Sequence, residues 1–163
     1  MSLLRFQLEP KIVYPIIANE CRFALDESGY LVNDKAFILP SKDRAILGIL
    51  NSKLANFYFA EVCAALEGQS GRYLEFRAQY VDMFPIAALS EERKTRTTLT
   101  GLVDRVITLH SAPNAARRPQ VQARLRREID ATDRRIDQLV YELYGLTDDE
   151  VRLVEEATTP PVP

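Results

Sequence analysis

A long apolar stripe near the C-terminal end dominates this 163-residue sequence. Seven apolar residues and one threonine recur there at steps of four and three: Val121, Leu125, Ile129, Thr132, Ile136, Leu139, Val140 and Leu143. This spacing predicts an α-helix with one apolar side. A second amphipathic helix is predicted from Ser90 to His110, and the short break at 113–119 favours antiparallel packing of the two.

The first forty residues have the shorter period of β-strands. Strands are predicted at 11–18, 21–26, 30–33 and 36–39, and Pro15 should place the first at a sheet edge or at a bulge. Ser41 is the expected N-cap of one long helix at 42–66. Two glycines then predict a mobile loop at 67–72, and a strand should follow at 73–80.

The predicted fold class is therefore α+β. A small, mostly antiparallel sheet should pack on a long helix, and an antiparallel helical hairpin and a short C-terminal helix should follow. The short helix is indicated by Gly145 as a C-cap and by Thr147 and Glu150 as a capping box. The expected division is a sheet-and-helix lobe at 10–89, a helical region at 90–157 and a disordered tail at 158–163.

Composition excludes several classes of protein. No apolar run is long enough to span a membrane, and no secretory signal is recognised at the start. Cys21, Cys63 and His110 are the only cysteines and histidine, too few for a Cys/His zinc site within the chain. A reduced, cytoplasmic setting is the expectation. No glycine-rich phosphate-binding motif is present.

Charge is unevenly distributed although the net charge is only −2. Seven arginines stand against three acids between Arg117 and Arg135, whereas six acids stand against Arg152 between Glu142 and Glu156. The basic segment could attract phosphate. The pattern favours the simpler interpretation, a solvated helix face whose charges pair at i,i+4.

Catalytic chemistry is weakly represented. Asp82, Glu92 and Lys94 resemble the spaced acids and lysine of metal-dependent nucleases, but Glu92 is better explained as an acid near a helix N-terminus. His110 should be a seam or end-of-helix residue, and Cys63 should be inert packing. No cofactor is expected to bind this chain.

Three stretches, taken in order, carry a resemblance to a known family. They are ILGILNSKLANFYF at 46–59, QYVDMFPI at 79–86 and DRRIDQLVYELYGLTDDEVRLVE at 133–155. With PKIVYP at 10–15, they resemble the TaqI-like C-terminal specificity domain of adenine-specific DNA methyltransferases and restriction-modification enzymes. The resemblance extends over roughly 10–155.

The resemblance implies a division of labour. In such enzymes another domain binds S-adenosylmethionine and methylates a flipped adenine at N6, beside an Asn-Pro-Pro-Tyr type motif. This chain has no Asn-Pro-Pro sequence, so it should choose the target on double-stranded DNA, for a methyltransferase domain linked to it or acting in trans. A fused endonuclease and a role in bacterial defence are further expectations.

Polar residues outside the apolar patterns are the expected DNA contacts. Base edges should be read from the loop at 68–72 and the strand beside it, and phosphates should be held from the sheet rim and the first long helix. The predicted readers are Gln69, Ser70, Arg72, Tyr73, Arg77 and Gln79, and the predicted phosphate contacts are Asn19, Arg22, Lys35, Lys42, Arg44 and Lys53.

A protein–protein function is the alternative. If the stripe at 121–143 were exposed, it could dock a partner helix or form a homodimer. Full burial of the two long helices on each other would remove that surface.

Overall fold

The computed structural model describes residues 8–68, 71–89, 92–111 and 119–159. The described strands are β1 Lys11–Pro15, β2 Ile17–Ala18, β3 Ala24–Asp26, β4 Ala36–Leu39, β5 Ala64–Gly68 and β6 Gly71–Glu75. The described helices are α1 Arg44–Leu50, α2 Lys53–Val62, α3 Ala78–Asp82, α4 Arg93–His110, α5 Pro119–Tyr144 and α6 Asp148–Thr158. The predicted α+β class is confirmed.

The strands form two small antiparallel sheets where one was predicted. Their orders are β3-β1-β4 and β2-β6-β5, and the chain passes between the sheets at Ile16. The Ile16 amide donates to the carbonyl of Lys35 at 3.0 Å, and its carbonyl accepts from the amide of Phe76 at 2.7 Å. β1 is the central strand of its sheet, so of the two positions predicted from Pro15, a sheet edge or a bulge, the edge is wrong. Proline is tolerated because it ends the strand just before the chain changes sheets.

Other predicted strand boundaries also change. Only 24–26 of the segment 21–26 is a strand, and 30–33 forms none, with Tyr30 and Leu31 strongly exposed. The strand predicted at 73–80 ends at Glu75, because Phe76 turns into the core and Arg77 is the N-cap of α3.

The long helix predicted at 42–66 is two helices separated at Asn51 and Ser52. The Ser52 side chain accepts from the amide of Ala55 at 3.2 Å and donates to the carbonyl of Ile49 at 2.7 Å, which ends one helix and begins the next. The first helix is capped by Asp43, which accepts from the amide of Ala45, and Ser41 is not its N-cap. Leu66, the last residue of the helix predicted at 42–66, belongs to β5.

The predicted helical hairpin is formed by α4 and α5. Arg105 of α4 pairs with Glu128 of α5, and Leu99 and Val103 of α4 lie near Ile136 of α5 around Gly48. Lower residue numbers on α4 therefore lie beside higher numbers on α5, so the two helices are antiparallel. Gly145 has a φ of 66°, and the predicted capping box of Thr147 and Glu150 begins α6. None of the described helices is long and apolar enough to cross a membrane.

One hydrophobic core joins the sheets to the long helices. Phe59 of α2 lies at its centre, in ring contact with Phe23, Phe76 and Phe84. The core continues through α1 into Leu99 of α4 and Val140 of α5, both fully buried. The sheets are thereby held rigidly on the helices, with the β5–β6 hairpin at the surface.

Candidate nucleic-acid interface

The β5–β6 hairpin is the most exposed regular element among the predicted DNA contacts. Leu66 pairs with Tyr73, Glu67 with Arg72 and Gly68 with Gly71, and every residue of β5 is exposed. The mobile loop predicted at 67–72 is thus largely paired strand, while Gln69 and Ser70 lie outside the described residues. A two-stranded ribbon is one of the two shapes that the DNA major groove admits.

The two faces of this hairpin differ. Leu74 is buried against the core, and Arg72 shares its face by strand alternation. Tyr73 and Leu66 form a cross-strand pair on the opposite face, where Ile17 of β2 is 53% exposed. The hairpin therefore presents an arginine near its tip on one face and an aromatic ring on the other.

Arg72 keeps much of its hydrogen-bonding capacity. One terminal nitrogen donates to the carbonyl of Ala60 at 3.3 Å, which steadies the exposed side chain against the end of α2. A guanidinium has five N–H donors, so the remaining donors can form a bidentate contact with guanine. Glu67 lies opposite Arg72 in the β5–β6 ladder, but no acid among the described side chains forms an ion pair with the Arg72 guanidinium.

Asn19 and Arg22 lie beside the same sheet. Ala18 of β2 pairs with Leu74 of β6, and Asn19 follows directly. Arg22 donates to the side chains of Asn19 and Glu20, both at 3.2 Å, and it is exposed. These contacts hold Arg22 at the surface, although its charge is partly balanced by Glu20.

Arg77 and Gln79 lie beyond the end of β6. Arg77 pairs with Glu75 at 2.9 Å, and Gln79 is exposed on α3. Both follow the sheet toward the helices, so they do not belong to the hairpin tip.

Lys35 and Lys42 are exposed lysines at separate places. The Lys35 carbonyl bonds to Ile16 where the two sheets meet, and its ammonium group lies 3.5 Å from Asp34. Lys42 precedes Asp43, the cap of α1, and its side chain points to no acid in the described part of the chain. Either lysine can reach a phosphate without breaking a buried contact.

Arg44 and Lys53, predicted to hold phosphate, tie the fold together. Arg44 pairs with Glu27 at 3.0 Å and with Asp104 of α4 at 2.5 Å. The Lys53 ammonium group pairs with Glu155 of α6. Both cations are therefore engaged between elements, and a phosphate contact from either would compete with these ion pairs.

A cleft of about 700 Å³ lies between the segment 20–25 and helices α1, α4 and α5. Its walls include Leu47, Val106 and Ile107, with the exposed end-of-helix His110 among the lining residues. Asp133 and Asp137 line it also. Arg22 and Lys53 also line the cleft, so its charge is mixed and gives no net attraction for phosphate.

Burial dominates the titration of the acids beside this cleft. It raises the pKa of Asp137 to about 6, against the hydrogen bond from the Lys53 amide at 2.8 Å, and it raises the pKa of Asp133. Burial would also raise the pKa of Glu155, but hydrogen bonds from Lys53 and Tyr141 outweigh it and lower that pKa. These contacts join α2, α5 and α6 electrostatically. We call the set the Lys53 cluster; it comprises Lys53, Asp137, Tyr141 and Glu155.

The two cysteines are buried and free. Burial raises the pKa of the Cys63 thiol to about 11 and also raises that of Cys21. Because the thiolate is the reactive form, these thiols are poor nucleophiles.

The nuclease interpretation gains no metal site from the structure. Asp82, Glu92 and Lys94 are exposed, and the described ranges hold no group of three or more His, Cys, Asp or Glu side chains arranged to bind a metal ion.

The stripe predicted to dock a partner is largely occupied within the chain. Thr132, Ile136, Leu139 and Val140 are buried against the chain's own core, and Val121, Leu125, Ile129 and Leu143 are half-buried. The surface expected by the docking alternative is therefore covered along the C-terminal part of α5.

A basic surface that the sequence analysis did not select lies on the outside of α5. Arg124, Arg127, Arg134 and Arg135 are all exposed, and we call them the arginine face. The predicted i,i+4 pairing is seen for Arg124 and Glu128 at 3.7 Å, but Arg127, Arg134 and Arg135 pair with no acid among the described residues. The surplus of arginine in this segment was the sequence feature that indicated such a surface. Periodicity alone did not show whether these arginines would pair with acids on the helix or remain unpaired.

Comparison with protein families gives one match. The family model of the TaqI-like C-terminal specificity domain, a type of domain associated with DNA target recognition in methyltransferase systems, matches residues 2–86. This is a shorter extent than the resemblance over 10–155 predicted, and the motif at 133–155 lies outside it. Among curated proteins no match is found. Since the match covers just over half of the chain, the protein belongs to the family of TaqI-like C-terminal specificity domains.

Proposed function

We propose that this chain selects the DNA sequence modified by a site-specific adenine-N6 methyltransferase, and that the β5–β6 hairpin reads the site. The observation that carries the proposal is an exposed two-stranded ribbon inside the family-matched segment, in which Arg72 forms no ion pair with a described acid although Glu67 lies opposite it in the ladder. Its width suits the major groove, where base pairs differ most in their donors and acceptors.

The partners follow from this division of labour. Double-stranded DNA is the ligand, and a methyltransferase domain, linked or in trans, supplies S-adenosylmethionine and the methyl transfer. Cytoplasmic restriction-modification, with or without cleavage, is the proposed setting. Asn19, Arg22, Lys35 and Lys42 are the proposed phosphate contacts on the sheet side, whereas Arg44 and Lys53 are better assigned to stability.

The proposal that the hairpin recognises the DNA site is tested with substitutions at Arg72 and Gln69 in the reconstituted enzyme. Arg72→Ala and Gln69→Ala should each relax site choice, because loss of one bidentate base contact costs about 1–3 kcal/mol of discrimination. Methylation sites are mapped by sequencing DNA after incubation with enzyme and S-adenosylmethionine.

Arg152→Ala is the matched control, since Arg152 is an exposed arginine on α6 that pairs with Asp149 outside the family-matched segment. It should leave the methylated sequence unchanged. An unchanged site in both hairpin variants would remove the hairpin as reader.

A further inference from the structure

The family-matched segment is short of free positive charge for a DNA-binding surface. Within its described residues, Arg22, Arg44, Lys53 and Arg77 pair with acids, and Lys35 has Asp34 at 3.5 Å. Lys42 and Arg72 are exposed cations of this segment without an ion pair to a described acid. Nonspecific DNA affinity comes almost entirely from cations that displace counterions from phosphates. Cations outside this segment would therefore add to the phosphate contacts proposed for the sheet side.

The arginine face contains exposed cations that pair with no acid among the described residues, Arg127 and Arg134 among them. On a helix with 3.6 residues per turn, Arg127 and Arg134 lie about 140–180° around α5 from the buried Thr132 and Ile136. Their guanidinium groups therefore point away from the core, into solvent. Seven residues separate them, a rise of about 10 Å along the helix.

Nearby acids leave this surface basic. Glu128 is already shared by Arg105 and Arg124. Asp133 and Asp137 line the cleft on another side of α5. Asp130 lies on the same side of α5, three residues after Arg127 and four before Arg134, but forms no ion pair with either.

We infer that the arginine face of α5 is a second DNA contact, which binds the phosphate backbone without reading sequence and extends the footprint beyond the family-matched segment. The inference rests on the proposed function. A spacing of about 10 Å spans three base-pair steps of one strand at 3.4 Å each, so Arg127 and Arg134 can hold separate phosphates of one duplex. Phosphate contacts of this kind position a protein on DNA, while the hairpin would specify the site.

The test is the salt dependence of binding to a random-sequence duplex by the full chain. Each phosphate contact contributes about 0.9 to the slope of log K against log salt concentration. The double variant Arg127→Gln/Arg134→Gln should therefore lower the magnitude of the slope by about 1.8. Fluorescence anisotropy with a labelled duplex, between low and physiological salt, measures it.

Matched variants separate local contact from total charge. Arg105→Gln/Arg152→Gln removes the same charge from two arginines that already have acidic partners, and its slope should match that of the unchanged chain. Arg127→Lys/Arg134→Lys keeps both charges and should retain most of the slope. Unchanged circular dichroism spectra and unfolding temperatures would show that all variants fold.

Three outcomes would overturn the inference. The first is equal slopes for the two double glutamine variants, and the second is no salt-dependent DNA binding by the unchanged chain. The third is that Arg127→Gln/Arg134→Gln abolishes self-association without any change in DNA binding. That result would assign the arginine face to the acidic α6 of a second copy. The proposed function fails separately: if the glutamine variant loses slope while Arg72→Ala and Gln69→Ala leave the methylated sequence unchanged, the arginine face binds DNA but the hairpin does not choose the site.

Discussion

Asn51 and Ser52 divide the segment 42–66, which was predicted as one helix, into two helices. The Asn51 side chain accepts from the amide of Phe23 at 3.0 Å and donates to its carbonyl at 2.9 Å. Ser52 likewise bonds to backbone groups, those of Ile49 and Ala55. The partner of Asn51 was not predictable, because Phe23 lies 28 residues away in sequence.

Asp137 gives a prediction at the residue scale. Its pKa is raised from 3.8 to about 6, so the folded state holds a proton that the unfolded chain releases between about pH 4 and pH 6. Stability contributed by this group therefore falls as pH rises through that window. Asp137→Asn removes the charge and keeps an oxygen for the Lys53 amide, so it should raise the free energy of unfolding at neutral pH by about 1–3 kcal/mol.

Urea unfolding at several pH values measures this effect. Asp130→Asn, an exposed change on the same helix, should stay within about 0.5 kcal/mol of the unchanged chain at neutral pH. A strongly destabilised Asp137→Asn variant at neutral pH would show that the negative charge supports the Lys53 cluster.

At the scale of elements, α1 approaches α4 closely because Gly48 has no side chain. A Cβ atom there would lie 2.8 Å from a methyl carbon of Val103, and Leu99 and Ile136 are its next neighbours. The apolar spacing predicted a helix over this segment that packs on the sheet. It did not predict that glycine sets the distance between two helices far apart in sequence.

Two glycine substitutions test this close contact. Gly48→Ala should destabilise the protein by about 1–2 kcal/mol, since overpacking against Val103 exceeds the gain in helix propensity. At Gly101 on α4 the added carbon would meet nothing within 4 Å beyond the backbone of its own helix and its chain neighbours, so Gly101→Ala should stabilise by about 0.5–1 kcal/mol. Thermal and urea unfolding give both values, and two shifts of the same sign would contradict the packing argument.

At the scale of the whole molecule, the lobe predicted at 10–89 and the helical region predicted at 90–157 share one core. Arg44 reaches Asp104, Lys53 reaches Glu155, and the hydroxyl of Tyr144 donates to the carbonyl of Pro85 at 2.7 Å. The division at residue 89 remains a prediction about sequence segments. The contacts favour a single cooperative unit.

We therefore expect the two segments to unfold together. Far-ultraviolet circular dichroism reports mainly on the helices, whereas near-ultraviolet signals report on the aromatic cluster around Phe59. The two thermal transitions should coincide, as they do for two-state domains. Separated transitions would show that the helical region folds independently of the sheets.

Local physics accounts for most of what the sequence determined by itself: the α+β class, the helical hairpin and the Thr147 capping box. The specificity-domain family was indicated separately, by the resemblance of ordered motifs. Periodicity and capping act over a few residues, so they are legible in the chain. The tertiary structure alone decided the split into two sheets, the burial of Lys11 against Asp26, and which arginines pair with acids. Those outcomes depend on contacts between residues that are far apart in sequence. The positions of the side chains in the fold, and not the residue types, determine which residues become partners.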